Sequence, residues 1–482
     1  MTAVVRNEFR VYNVKSFINS FNSGNSLYLG IGRPEFWDLV SNNDIAPPIP
    51  YNNLIGIDQD WEDMMQLKLI NSSGISAGIF KEMWAPNTIY DTYRHDWNGT
   101  RASSYNGSNP YTPYPADLSQ AKYYVITSSY NIYICLKQNI VNGVIYPSTQ
   151  SPDLGVAVGT NTEIVTTSDG YYWKFISVTT PADVVSFSTD SYHPVETLTT
   201  APGTSDPYYT QWLAQQYSAN FKRGIYTINV LNGGSGYNGG NAGTISFPSA
   251  NINVVGNGSG IAGSVIFGAG GVVQNIIITN PGSGYTYAEL NITGGAGFTY
   301  DIIFTSPWGL GTDPVRDLCA YFAIVNQTLN SSEGGVFTVS NDYRKICLIT
   351  NPTNYGSSTI ATSQVLDATI SLTLTGGGGA NGYSADEVVT DSTTGAEGRV
   401  VDWNSTTGVL RIIRTSNENF GNAGAALSFQ VGSTVSPGTG VISTITTPTV
   451  QPYSGDIVYS EYRQPITRST GQSENISIVL EF

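Results

Sequence analysis

Apolar and polar residues alternate with a period of two over much of this 482-residue chain. In Ser473-Glu-Asn-Ile-Ser-Ile-Val-Leu-Glu-Phe482, the side chains of Ile476, Ile478 and Leu480 fall on one face, which predicts a strand. Gly398-Arg-Val-Val-Asp-Trp403 and Gly408-Val-Leu-Arg-Ile-Ile413 flank the polar Asn404-Ser-Thr-Thr407 and predict a hairpin. Helical spacing is scarce. Tyr208–Tyr217, with Trp212 and Leu213 on one side, is the best helix, and a second helical turn is expected around Trp61–Met65. The expected class is mainly β with few short helices.

The texture of the chain changes along its length. Residues 1–224, 305–375 and 448–482 are rich in Tyr, Trp and Pro-bearing loops such as Ala46-Pro47-Pro48-Ile49-Pro50. Residues 225–304 and 376–447 are rich in Gly, Ser and Thr, the second opening on Gly376-Gly377-Gly378-Gly379. This predicts one discontinuous body carrying two inserted β modules, entered and left at neighbouring surface points. The first module repeats itself. Ile225-Tyr-Thr-Ile-Asn-Val-Leu-Asn-Gly-Gly-Ser-Gly-Tyr237 resembles Val273-Gln-Asn-Ile-Ile-Ile-Thr-Asn-Pro-Gly-Ser-Gly-Tyr285, so Tyr237 and Tyr285 stand 48 positions apart. Two copies fall short of a solenoid and predict a small sandwich or β-prism-like module. The second module is expected to be a small barrel or sandwich.

Composition narrows the function. Charged residues make up 12% of the chain, about half of the ~25% usual in soluble domains, which suits surfaces that pack against other chains. Thirty-six acidic residues against 21 basic ones give a net charge of −15. The cationic footprint of a nucleic-acid-binding protein is therefore missing. The 31 Tyr and 8 Trp fill β cores or anchor protein–protein interfaces. Cys135, Cys319 and Cys347 are odd in number and lack metal-knuckle spacing, so neither a disulfide framework nor a zinc site is expected. Arg6, Glu8, Arg10 and Lys15 occupy the place of a signal peptide's apolar run, and no apolar stretch reaches membrane-spanning length. Synthesis in a reducing cytoplasm without membrane insertion is the expectation.

Catalytic constellations are weak. His95 and His193 are the only histidines, and no Gly-x-Ser-x-Gly elbow accompanies the His95-Asp96 pair. The glycine clusters lack the Lys-Ser/Thr of a phosphate loop and read as β turns. Neighbouring carboxylates such as Asp58 and Asp60 do not define a glycosidase pair by proximity alone. No enzyme activity, cofactor or metal is expected.

Six motifs occur in order through the non-Gly-rich segments: Leu27-Tyr-Leu-Gly-Ile-Gly32-Arg33-Pro-Glu-Phe-Trp37, Leu54-Ile-Gly-Ile-Asp-Gln-Asp-Trp61-Glu-Asp-Met64-Met65, Arg94-His-Asp96-Trp97-Asn-Gly-Thr-Arg101, Asp169-Gly-Tyr171-Tyr-Trp173 followed by Thr180-Pro-Ala-Asp183, Cys347-Leu-Ile-Thr-Asn-Pro352, and Tyr453 to Phe482 with Tyr459, Arg463 and Pro465. Together they resemble the wedge subunit encoded by gene eight in T-even-like contractile-tail phages. The resemblance implies an immunoglobulin-like β-sandwich body, a homodimer, contacts with other baseplate wedge proteins, a place in the virion tail baseplate, and no catalysis. The two Gly-rich modules have no counterpart in it. Arg33, Arg94 and Arg101 suit bidentate pairs or stacking on rings such as Trp37 and Trp97, either within the fold or at a contact. Met64 and Met65 fit irregular gaps, and Pro465 suits a turn before the last strand. An adhesin that presents Tyr237 and Tyr285 to a receptor or glycan is the alternative expectation.

Overall fold

The computed structural model describes residues 5–33, 36–37, 41, 45–97, 117–141, 144–153, 164–330, 333, 342–376, 382–414, 428–465, 469 and 471–482. The fold is mainly β with few short helices, as the alternation predicts, and agrees with a β-sandwich body. Four helices exceed a single turn among the described residues: α1 (Asn7–Asn22), α2 (Leu54–Glu62), α3 (Pro181–Phe187) and α4 (Tyr209–Ser218). The helix expected at 208–217 is α4. The one expected around 61–65 is displaced, because α2 ends at Glu62 and Met64 already opens a strand. The chain forms two compact units, residues 1–15, 76–324 and 479–482 in one, 16–75 and 325–478 in the other.

In the first unit, strands Tyr124–Ile126, Asn131–Lys137, Tyr172–Val178 and Ile164–Thr166 form an antiparallel sheet in that order. Its core packs Tyr90, Val125, Tyr133, Tyr171, Trp173 and Phe175. Helix α4 docks on the sheet through buried Gln211, whose Oε1 accepts from Ser177 Oγ at 2.8 Å and from the Val178 amide at 3.0 Å.

Within residues 225–304 of this unit, two strand ladders are equivalent. Strand Ile225–Ser235 pairs with Ala296–Phe304, and Val273–Ser283 pairs with Ser259–Phe267. Adding 48 to the first strand and subtracting 37 from the second converts one ladder into the other: Gly233 opposite Phe298 becomes Pro281 opposite Ile261, and Ser235 opposite Ala296 becomes Ser283 opposite Ser259. The bulge between Val230 and Asn232 recurs between Ala262 and Gly263 on the facing ladder. Asn232 and Asn280 accept from the amides two residues on, Gly234 and Gly282, at 2.9 Å each. Residues just before the first strand take part: the Gly284 amide donates to Lys222 and the Tyr285 amide to Arg223, as the Gly236 amide does to Gly270.

In the second unit, strands Val365–Asp367, Met64–Ile70, Leu27–Gly32, Lys345–Thr350 and Asp456–Tyr462 form a five-stranded antiparallel sheet in that order. The central Leu27–Gly32 strand is buried throughout, hence its unbroken apolar run. The predicted hairpin is present as Glu397–Asn404 and Val409–Arg414. It belongs to a closed six-stranded barrel with Ile370–Thr375, Val388–Asp391, Thr434–Ser436 and Gly440–Thr446, filled by Leu372, Val389, Val400, Leu410 and Ile442.

Candidate functional site

The motif residues of the second unit converge at one end of the five-stranded sheet. The Leu27–Gly32 strand ends where Gly32 meets its neighbours closely: a Cβ there would lie 2.9 Å from the Asp63 carbonyl oxygen and 3.3 Å from Lys345 Cβ. The next amide, that of Arg33, donates to this Asp63 carbonyl at 3.0 Å, and the Arg344 amide donates to Gly32 O at 2.9 Å. These two bonds carry Arg33 and Arg344 out of the sheet side by side.

Four cations and four carboxylates meet there. Arg33 grips Asp386 with a bidentate pair, Nε to Oδ1 and Nη2 to Oδ2 at 2.8 Å each, and its Nη1 lies 2.8 Å from Asp342. Arg344 reaches Asp342 at 3.1 Å and lies over the Phe36 ring at 4.7 Å. Lys345 Nζ lies 2.8 Å from Asp63 and 3.4 Å from Asp60, with the Tyr462 ring at 4.7 Å. Arg399, on the barrel, approaches Asp63 at 3.6 Å and donates to the Arg33 carbonyl at 3.4 Å. Arg33, Arg344, Lys345, Arg399 and Asp60 are buried. A charge taken from water costs several kcal/mol unless paired, so each is stable here only because the others are present. Asp386 presents its carboxylate from a left-handed backbone, φ 67°, uncommon for a residue other than glycine.

Aromatic rings wall the cluster. Trp37 stacks on Tyr462, centroids 4.9 Å apart and planes 19° from parallel, and its indole donates to the Arg463 carbonyl at 3.1 Å. Arg463 pairs with Glu474 at 2.9 Å and lies 5.1 Å from the Tyr343 ring centroid, while the Tyr343 hydroxyl donates to the same Glu474. Burial, then the Asp60 carboxylate, pushes the Tyr462 hydroxyl far above its ordinary range, and that hydroxyl donates to Asp60 at 2.9 Å. Trp61 and Met64 pack beneath with Tyr28, Leu67 and Cys347; Met65 is also fully buried. Tyr459 is half-buried on the edge strand, its hydroxyl 2.8 Å from Glu461, and Pro465 follows that strand's end.

The first unit repeats one part of this chemistry. Buried Arg94 pairs with Asp96 at 3.0 Å and donates to Asp301, a residue of the 225–304 module. Burial pulls its pKa down, and the bonds to Asp301 and Asp96 more than reverse this. Trp97 is half-buried nearby in sequence, and Arg101 lies outside the described residues. Tyr171 and Trp173 are fully buried and stacked at 5.6 Å, away from any surface. Sequence reasoning missed Lys137, whose Nζ donates to Asn275 of the module beside a cavity of about 260 Å³ lined by Leu136, Tyr172, Tyr226 and Ile276. Burial lowers its pKa to about 8.

One expectation is corrected. Tyr237 and Tyr285 are buried in the module's core, each ring closing over a glycine: Gly295 for Tyr237 and Gly258 for Tyr285. The Gly-Ser-Gly turns fold these rings inward, so neither is a platform for a glycan.

No group of three or more His, Cys, Asp or Glu suited to a metal occurs among the described residues, and no described helix is long and apolar enough to cross a membrane. No family model matches the chain. It is similar to the baseplate wedge protein gp8 of Enterobacteria phage T4. The two are 25% identical over 201 residues, which covers 39% of this chain and 59% of that protein. The chain thus matches less than two thirds of its curated relative's length.

Proposed function

We propose that this chain is a structural subunit of a phage tail baseplate wedge that acts by contact and carries out no catalytic step. In this reading, residues 1–224, 305–369 and 448–482 are the wedge-type body, and two modules are inserted into it: 225–304, and a barrel that starts at Ile370, ahead of the expected 376–447. The chain works as a homodimer in contact with other wedge proteins of the virion. One observation carries the reading. Residues from separate family-type motifs (Arg33, Trp37, Trp61, Met64 and Arg463), hundreds of positions apart, build a single ion-and-ring cluster, in a chain similar to a baseplate wedge protein. Such a cluster suits a load-bearing part. Its buried charges are paired with one another, so partial opening would strand them, while a low content of charged residues leaves the outer faces free to repack when a baseplate changes state.

The reading is tested by electron microscopy of virions labelled with an antibody against the 225–304 module. Label at the distal plate of the tail is the expected result. Label along fibres, or absence of the protein from purified virions, overturns it.

A further inference from the structure

Two apolar features of the second unit lie at the two ends of α2. Leading into the helix and along its first turns, Ile45, Ile49, Tyr51, Leu54, Ile55 and Ile57 are all exposed, Ile49 by 87% and Leu54 by 78%. The segment Pro47-Pro48-Ile49-Pro50-Tyr51 has three of its five φ angles fixed by proline rings, so it is extended in advance of any contact. At the other end of α2, Trp61 and Met64 floor a groove of about 200 Å³ whose sides include Tyr355, Pro448, Pro452 and Tyr453.

The groove is preformed. Its two rims are tied by the Tyr355 amide to Thr449 O at 2.9 Å and the Gln451 amide to Thr353 O at 2.8 Å. The Gly356 amide reaches Gln451 Oε1 at 3.0 Å and the Thr353 amide reaches Ser454 Oγ at 2.9 Å. Tyr453 holds a left-handed backbone, φ 59°, a costly conformation for an aromatic residue. Its ring stands 6.5 Å from that of Trp61, tilted by 45°. A concave row of Trp, Tyr and Pro rings is how extended proline-rich segments are held elsewhere.

We propose that a second copy of this chain seats its Pro47–Tyr51 segment in this groove, and that the exchange is reciprocal. The helix α2 has nine residues, a length of roughly 13 Å. Two such helices antiparallel across a two-fold axis set each copy's segment against the other's groove, with Leu54, Ile55 and Ile57 between them. The six exposed side chains offer on the order of 800 Å², about the area each partner contributes to a stable interface. This deepens the self-association proposed above and rests on that reading.

Light scattering of the full chain across a concentration series tests it, using a segment variant, Ile49→Ser with Tyr51→Ser, and a groove variant, Tyr355→Ser with Tyr453→Asn. Asparagine tolerates the left-handed backbone, all four residues are exposed, and thermal unfolding near that of the parent verifies the fold. Each variant is expected to weaken dimerisation at least tenfold. An equimolar mixture recovers heterodimers, because one segment–groove contact remains intact. Dimers of unchanged affinity in both variants overturn this surface and leave self-association standing. A parent chain that is monomeric throughout overturns both. Neither result bears on the baseplate location, which the microscopy addresses.

Discussion

Two buried ionisable residues of the first unit give opposite pH dependences. Asp317 sits in a short helical turn, where burial raises its carboxyl from 3.8 to about 6 despite Arg316 and the Gly311 amide, with Asp313 adding to the rise. The unfolded chain releases that proton first, so this residue costs stability as pH rises from about 4 to 6. His193 is fully buried, 2.9 Å from Thr179 Oγ1 and stacked on Tyr130. Burial, with Lys81 adding to it, lowers its pKa from 6.5 to about 4. The unfolded chain takes up that proton first, so stability from His193 is present above pH 6.5 and is lost as pH falls toward 4. Over pH 4 to 6 the two largely offset each other, each on the order of 2 kcal/mol. Asp317→Asn is expected to make stability rise with pH in this window relative to the parent, and His193→Gln to make it fall. Urea unfolding at pH 4, 5 and 6 measures both slopes, and parallel profiles for the three proteins sink the assignment. Neither shift is legible in the sequence: His193 is one of two histidines, but its burial is set by a four-residue strand, and Asp317 is one carboxylate among 36 acidic residues.

At the scale of elements, the Arg33–Asp386 pair decides how the barrel's first turn is held to the end of the sheet. Asp386 precedes the Val388–Asp391 strand and Arg33 follows Leu27–Gly32, so one bidentate contact joins elements more than 350 residues apart. Arg33→Met leaves Asp386 and Asp342 short of a buried partner and is expected to cost about 3–5 kcal/mol. Arg33→Lys recovers only part of this, because an ammonium cannot make the planar double bond. Asp386→Asn combined with Arg33→Met is expected to cost less than the sum of the single changes by about 1–3 kcal/mol. An additive double-mutant cycle in urea unfolding shows that the pair is not coupled. The sequence displayed some of this and hid the rest. Arg33, Trp37 and Arg463 were legible because each sits in a dense aromatic motif. Their acidic partners were not, since Asp342 and Asp386 lie in unremarkable polar stretches and only the fold brings them close. The equivalence of the two ladders within 225–304 was legible from Gly-Ser-Gly-Tyr, because turn glycines recur at fixed offsets. Helix α1 was not: only Val11 and Val14 are buried on it, too few to write a helical stripe. Arg10 instead pairs with Glu481 and Lys15 with Asp313, contacts set by residues nearly 300 or more positions away.

At the scale of the whole chain, the proposed insertion at 225–304 makes a demanding prediction about excision. Gly224 and Thr305 are hydrogen-bonded neighbours: the Thr305 amide donates to Gly224 O at 2.9 Å, and the Gly224 amide reaches Thr305 Oγ1 at 3.0 Å. A two-residue Asn-Gly turn spans such a pair, so the chain can be rejoined there without moving either residue. The body does not emerge unaltered. Arg94 loses Asp301, Lys137 loses Asn275, and Leu136 and Tyr172 lose the apolar wall they share with Ile276 across the cavity. The excised chain is therefore expected to fold but to melt several degrees lower, and Arg94→Gln to cost less there than in the full chain, because it then breaks the Asp96 pair alone. In the full chain the same substitution is expected to lower the melting temperature further, because there it also breaks the buried pair with Asp301. This difference in size separates an inserted module from an integral one. If the excised chain fails to fold, or Arg94→Gln is equally harmful in both backgrounds, residues 225–304 are part of the body's own core and not an addition to it.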